Sequence, residues 1–515
     1  MMKKRITILL IVISLFFCGL VKSAIVFADE ADEPDNTDYI HQAITVSPHS
    51  QTIKRGQAYK LSATLDPVAS NGTITWSSSN TSVATVTSYG LVVGKSAGTV
   101  TITATVDCPM IQGWTYEDHC TITVSSSRII TDGTYLIQTA QRNNNGELIE
   151  EFVAIEGNST SSGTKLMIAP LSDGKVRQWI FTLGSDGYYR IKSKLSSKYI
   201  WVNNNSSSSG VAIKQYSSVA SGSKWAVMET TAGNYAFVPA SATSSLIVMN
   251  VPGDVTGTDL NTASYTSNTN YRDEWKLQRM LPLSGSELQY SSSAWSSYAG
   301  VCNCYSYAIN NQVYPGSNYL WYRQQMGWYA GEDYLFDQYT ASAISAAVSA
   351  DYSKYNSEFN TSYTFQSIGR TTACPTGTYK IALFIGTTSN PDSPYTYHWY
   401  RQDSDGFWSH KLGTEAITRY DASGKLIIDP QNADRNYVNE GINYSTFGGY
   451  YAVTPWSDYL TVNGSDPVIC YTVWALDDGD FVVEYMTYEE LLTHIPRGAQ
   501  AYDSSLMTRY VDEMD

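Results

Sequence analysis

Charge is scarce in this 515-residue chain. Only 16% of residues are Asp, Glu, Lys or Arg, and basic residues number 33 against 48 acidic ones. No Lys/Arg cluster is present that could neutralise a run of phosphates, so nucleic-acid binding is excluded as a primary role. Cysteine is sparse too, with seven in all, which excludes a dense disulfide scaffold. No Cys-x-x-Cys pair and no His-Glu-x-x-His run occurs, so no metal site and no cofactor is expected. Long apolar runs are missing after the first two dozen residues, which leaves nothing further that could span a bilayer as a helix.

Ser, Thr, Tyr and Gly fill the place of charge, and that composition favours strands over helices. At the start, Lys3, Lys4 and Arg5 precede an apolar run over residues 6–21, and Val26 and Ala28 sit at the −3 and −1 positions before Asp29. Charge, apolar core and small-residue cleavage site in that order describe a secretory signal peptide over residues 1–28. Its removal takes away Lys3, Lys4, Arg5 and Lys22 and no acid, so the net charge goes from −15 to −19. The mature chain is expected to be secreted or attached to the cell surface, monomeric and free of the membrane. Residues 29–41 read as a linker.

Residues 42–125 carry short alternating strands separated by Gly- and Asn-rich turns, the pattern of a β-sandwich. Ile44, Thr45, Val46, Ser47 and Pro48 open it. Trp76 and Asn80, then Val83, Ala84, Thr85 and Val86, then Gly90, and finally Ala97, Gly98, Thr99 and Val100 follow in order. This set resembles the group 2 bacterial immunoglobulin-like domain, which implies a spacer or adhesive module with no catalytic site. Cys108 and Cys120 flank an expected hairpin, and an oxidising exterior would allow a disulfide between them.

Residues 128–280 repeat three times. Val153, Ile200 and Ile247 recur every 47 residues, as do Gly163, Gly210 and Gly257, and Trp179, Trp225 and Trp275 close the units. One such unit cannot bury its apolar face alone, whereas three can close a common core. The pattern resembles a ricin B-type β-trefoil, and the resemblance implies carbohydrate binding. The position where sugar-binding repeats of that family carry Asp holds Ala154, Trp201 and Val248 here. Trp201 with Asn203 is the best sugar-contacting candidate, since docking needs an aromatic plus fixed polar groups.

Residues 285–515 hold the candidate chemistry. Asn303 is placed to cap a short helix with Cys304 in its first turn, a position that favours thiolate over thiol. Residues 379–386 read as a buried strand. Two more strands carry His398 and His410 around Ser404, Asp405 and Gly406, a three-residue hairpin loop in which Gly supplies positive φ. In that register Tyr400 faces His410, and His398 shares a face with His410 as a diagonal neighbour.

Asn303 to Ala308 and Tyr397 to Asp403, with Trp408, His410, Lys411, Asp429, Pro430 and Arg435 behind them, resemble the NlpC-type branch of the papain-like superfamily over a core of about residues 300–455. The resemblance implies an α+β papain-like domain with Cys304 as nucleophile and His398 as general base. His410 is then the orienting third residue, and Asp403 the alternative. In that chemistry Cys attacks a carbonyl, His takes and returns the proton, and backbone N–H groups hold the oxyanion.

Each residue has a bland reading as well. Cys302 and Cys304 can be structural thiols, His398 a core residue, and Asp429 with Asp434 a turn braced by Arg435. The whole chain therefore reads as an all-β pair of domains followed by an α+β domain. The main functional expectation is a secreted cysteine hydrolase of amide bonds in cell-wall peptidoglycan, tethered by the trefoil. The alternatives are a protease or transferase of the same fold, and a non-enzymatic glycan-binding adhesin.

Overall fold

The structure, a computed structural model, describes residues 44–65, 72–107, 115–266, 270–300, 302–312, 325–327, 330, 339–391 and 394–456, and the backbone of strands Ile469–Ala475 and Phe481–Thr487. The expected signal peptide and linker and Cys108 lie outside the described residues. The chain divides into two compact units at Met280 and Leu281. Among the described residues no helix is long and apolar enough to cross a membrane.

The first unit opens with a β-sandwich. Strands Ser50–Arg55, Thr115–Arg128, Gly98–Asp107 and Thr73–Ser78 form one sheet in that spatial order, and Ala58–Lys60, Leu91–Gly94 and Ala84–Val86 form another. Strict alternation along Gly98–Asp107 sends Val100, Ile102, Ala104 and Val106 inward and the threonines outward. Those inward residues meet Ile53, Leu61, Val83 and Val92 from both sheets in one core.

Of the expected disulfide pair only Cys120 falls among the described residues, where it lies opposite Ile102. Cys120 is a buried free thiol in the core, and its burial pushes its pKa up.

The trefoil follows. The three repeat tryptophans are fully buried, and each donates its indole N–H to a backbone carbonyl of its own repeat. Trp179 reaches Val153 at 3.0 Å, Trp225 reaches Ile200 at 3.1 Å and Trp275 reaches Met249 at 3.1 Å. A buried indole needs such a partner, and the threefold use of the same bond accounts for the tryptophan period. Around them Ile137, Val153, Phe181, Ile200, Phe237 and Leu260 complete one core shared by all three repeats.

In the second unit a seven-stranded antiparallel sheet runs Phe365–Ile368, Ile442–Val453, Tyr379–Thr388, Tyr395–Gln402, Trp408–Lys411 and Ile417–Thr418, with Asn436–Tyr437 beside Ile442–Val453. One face carries Ile381, Leu383, Trp399 and Val453, and the short helix Cys304–Ala308 and the long helix Ala341–Phe359 pack there. The opposite face carries Ala382, Phe384, Tyr400, Trp408 and Tyr450. The long helix buries Ile344, Ala347, Val348, Asp351 and Tyr352 and leaves Ser342, Ser349 and Ser353 exposed. Beyond it, Ile469–Ala475 pairs with Phe481–Thr487 as a hairpin.

Candidate functional site

Asn303 caps the Cys304 helix, its side-chain oxygen accepting from the Ser306 N–H at 2.9 Å. Cys304 is therefore the first residue of the helix. The expected thiolate does not follow, because burial dominates and pushes the thiol pKa up to about 12. The backbone N–H of Trp399, the residue after His398, is directed at the thiol and only partly offsets that burial. A helix of five residues supplies too little dipole to win against full burial.

His398 and His410 come together from adjacent strands. Tyr400 faces His410 across the pair, the register a three-residue loop dictates, and Gly406 takes φ 97° in that loop. His398 Nε2 lies 2.9 Å from His410 Nδ1. His410 Nε2 lies 3.0 Å from the Tyr420 carbonyl oxygen.

That carbonyl fixes both tautomers. A carbonyl only accepts, so His410 Nε2 carries its proton. His410 Nδ1 is then the acceptor, and His398 Nε2 must donate to it. In neutral His398 this leaves Nδ1 as the one basic nitrogen. Both rings are neutral, since burial lowers the pKa of His410 to about 4 and that of His398 well below the ordinary value, with the neighbouring His410 adding to the effect.

Among the described residues no hydrogen bond joins Cys304 to His398: the helix carrying Cys304 packs on the Trp399 face of the sheet, whereas His398, opposite Phe384, lies on the other face. There the Tyr444 ring stacks on His398 at 4.7 Å and 25°, and Cys304 adds to the cost of ionising the Tyr444 hydroxyl. Tyr437 reaches His410 Nε2 at 3.4 Å. Neither tyrosine is marked by any motif; only the pairing of Ile442–Val453 with Tyr379–Thr388, itself next to the His398 strand, places Tyr444 there.

Asp403 is elsewhere. Its carboxylate accepts from Arg401 at 3.1 Å and from Arg419 at 3.2 Å, all three buried. Arg401 also covers the Tyr307 ring at 4.1 Å and donates to its hydroxyl at 2.8 Å. Asp403 thus holds Arg401, which in turn ties the helix carrying Cys304 to the strand carrying His398, and it does not orient an imidazole. Cys302 faces a different cluster, with Trp295, Tyr307 and Ile417.

In the trefoil, Trp201 is 8% exposed, with its indole N–H on Asn205 Oδ1 at 3.0 Å, so it supports rather than presents a surface. Tyr216 lies over it at 4.4 Å between ring centroids and is 36% exposed. Asn203 is half-exposed at the start of the following turn, Asn203–Asn205. Sequence reasoning missed Tyr216, although it stands 47 residues from Ala169 and from Ala263, where the other repeats lack an aromatic.

Comparison with known proteins defines the first unit. The group 2 bacterial Ig-like domain family matches residues 41–108, and the ricin-type β-trefoil lectin domain-like family matches residues 112–216 and 175–265. The chain therefore contains a bacterial Ig-like domain and a trefoil of the ricin-type carbohydrate-binding fold. It is 46% identical over 59 residues to insoluble matrix shell protein 1 of Ruditapes philippinarum, a stretch covering 12% of this chain and 36% of that protein. It is 40% identical over 75 residues to kappa-carrageenase of Pseudoalteromonas carrageenovora, covering 14% and 19%. The chain thus spans about a third of the first relative and a fifth of the second. Among solved structures, the designed threefold symmetric protein ThreeFoil is 27% identical with a TM-score of 0.24, covering 28% of this chain and 98% of its own. Polyporus squamosus lectin is 12% identical with a TM-score of 0.27, covering 56% and 95%.

Proposed function

We propose that this chain is an exported, glycan-binding surface protein whose trefoil takes a sugar on its second repeat. One observation carries the reading. Within a trefoil of the carbohydrate-binding fold, the second repeat alone sets an aromatic pair on the outer face of its hairpin, exposed Tyr216 on buried Trp201, where the others carry Ala154 with Ala169 and, by strand register, Asn250 rather than the expected Val248 with Ala263. An exposed ring backed by a rigid one, beside polar Asn203, suits a sugar's apolar face and its hydroxyls. The test is retention of the full chain on immobilised galactose, N-acetylgalactosamine, N-acetylglucosamine and peptidoglycan fragments. Tyr216→Ala should abolish retention without lowering the melting temperature; equal retention would refute the assignment.

A second reading is favoured by the imidazole pair. With His398 Nε2 committed to His410, Nδ1 is the nitrogen left to take a proton from Cys304, as a cysteine hydrolase of amide bonds requires. The thiol and imidazole would both start neutral, and proton transfer would accompany attack on the carbonyl. Peptidoglycan peptides are the proposed substrate, since a glycan-bound enzyme is held near them. Full chain and its Cys304→Ala form, incubated with peptidoglycan and read by mass spectrometry, test it: amide-cleavage products that vanish in the Ala form support it. No products from either form would leave the third domain without this activity.

A further inference from the structure

The threefold pattern of the trefoil is broken on one outer surface. In the hairpin Lys224–Glu229 with Tyr235–Pro239, the residues that point away from the trefoil core are Ala226, Met228, Ala236 and Val238, all buried. The positions equivalent to Ala226 and Met228 are Ile180 and Thr182 in one repeat and Lys276 and Gln278 in the other, none of them buried. What covers the second hairpin is the Ig-like sheet. Ala58, Leu91 and Val93 pack on those four residues and on Ile247 and Val248 in a single cluster.

Backbone bonds lock the same face. The Val227 N–H donates to the Gly56 carbonyl at 3.1 Å, and Gln57 bridges Val227 in parallel. At Gly56, φ is 79° and a Cβ would sit 2.5 Å from the Tyr189 ring, so glycine is required for the approach.

A chain of contacts then runs from the Ig-like domain to the aromatic hairpin. The Tyr89 hydroxyl donates to the Ala242 carbonyl at 2.9 Å, and the Ser88 hydroxyl donates to the Thr243 carbonyl at 2.9 Å. Next to them, the Ser241 hydroxyl donates to the Ser206 carbonyl at 2.9 Å. Ser206 ends the turn Asn203–Asn205, and Asn205 Oδ1 accepts from both the Trp201 indole and the Gly222 N–H, at 3.0 and 2.8 Å.

We propose that the Ig-like domain is the structural floor of the second-repeat glycan site, Ser88 and Tyr89 being positioning residues that hold the 239–243 loop and, through it, the turn beneath Trp201 and Tyr216. The proposal rests on the glycan-binding reading for the site's role and on these contacts for the mechanical link. It replaces the picture of a free spacer, because a flexible spacer would have no reason to bury an apolar face that the other two repeats lack.

The experiment uses the full chain with Tyr89→Phe and, separately, Ser88→Ala, both mild enough to keep the apolar contact. Hydrogen exchange is read at residues 203–206 and at the equivalent first-repeat turn, residues 156–159, alongside retention on the glycan panel. Loss of one ordinary hydrogen bond corresponds to about a fivefold rise in local opening. The expected result is such a rise at 203–206 and none at 156–159, with weaker glycan retention. In a Tyr216→Ala background Tyr89→Phe should weaken retention no further. Unchanged exchange at 203–206 in both variants overturns the inference, whatever the glycan result. Raised exchange in a protein whose unaltered form is retained by no glycan overturns the glycan reading and leaves the mechanical link standing.

Discussion

His398 Nε2 lies 2.9 Å from His410 Nδ1, and the far nitrogen of His410 ends on the Tyr420 carbonyl at 3.0 Å. Two neutral rings and one carbonyl thus form a directed line whose sense the carbonyl sets. Replacing His410 by Ala breaks the line in the middle. It strands a buried N–H on His398 and a carbonyl on Tyr420 and leaves an imidazole-sized void. The expected cost is about 2–4 kcal/mol, read as a lower urea midpoint at unchanged slope. A midpoint within error of the parent would show that the pair is not formed.

The same pair gives stability a pH dependence of known sign. Burial holds the folded His410 pKa at about 4, against 6.5 for an unperturbed ring, and lowers that of His398 as well. The unfolded chain therefore takes up these protons first as pH falls. The stabilising contribution is complete above pH 6.5 and is lost as pH drops towards 4. For His410 alone the loss approaches ~3 kcal/mol at the bottom of that window. As pH falls from 7 to 4, urea midpoints should drop more steeply for the parent than for His410→Gln. Parallel curves would mean that the ring titrates normally.

How much of this was legible in the sequence follows from what each feature depends on. The tryptophan and glycine periods are local, and so were readable before any coordinates; each Trp makes the same bond within its own repeat. The hairpin register was readable because Gly406 and a three-residue loop leave little choice. Tyr444 and Tyr216 were not, since each acquires its place from strands paired at a distance. Asp403, which the resemblance implied only as the alternative third residue, is instead held by the guanidinium groups of Arg401 and Arg419, and the second of these reaches it only through the fold. Cys304 misled for a different reason: its cap was foreseen correctly, but the burial that outweighs the cap depends on both helices packing over the sheet.

Cys304 accordingly should behave as a protected thiol in the resting protein. Burial pushes its pKa up to about 12, so almost no thiolate exists at pH 8. Site-resolved mass spectrometry after iodoacetamide treatment should find Cys304 alkylated at least tenfold more slowly than a free cysteine at that pH, with full labelling after denaturation. Rapid labelling of Cys304 in the native chain would instead reveal a stabilised thiolate, and would require an ion pair with His398 that neutral rings do not provide.

The three closing tryptophans offer a graded test of the trefoil. Trp179, Trp225 and Trp275 are fully buried, and each satisfies a carbonyl of its own repeat, so Phe at any one of them removes the same donor and leaves the same orphaned acceptor. Each substitution should cost about 2–4 kcal/mol, from lost ring volume plus the unsatisfied carbonyl. Trp201 differs, because its indole bonds the side chain of Asn205, which keeps the Gly222 N–H as a second partner. Trp201→Phe should therefore cost only about 1 kcal/mol, while loosening the support under Tyr216. Calorimetry on the four single variants checks the order. Equal losses at all four positions would place Trp201 among the closing residues and remove the distinction, on which the glycan assignment relies, between a core tryptophan and one that backs an exposed ring.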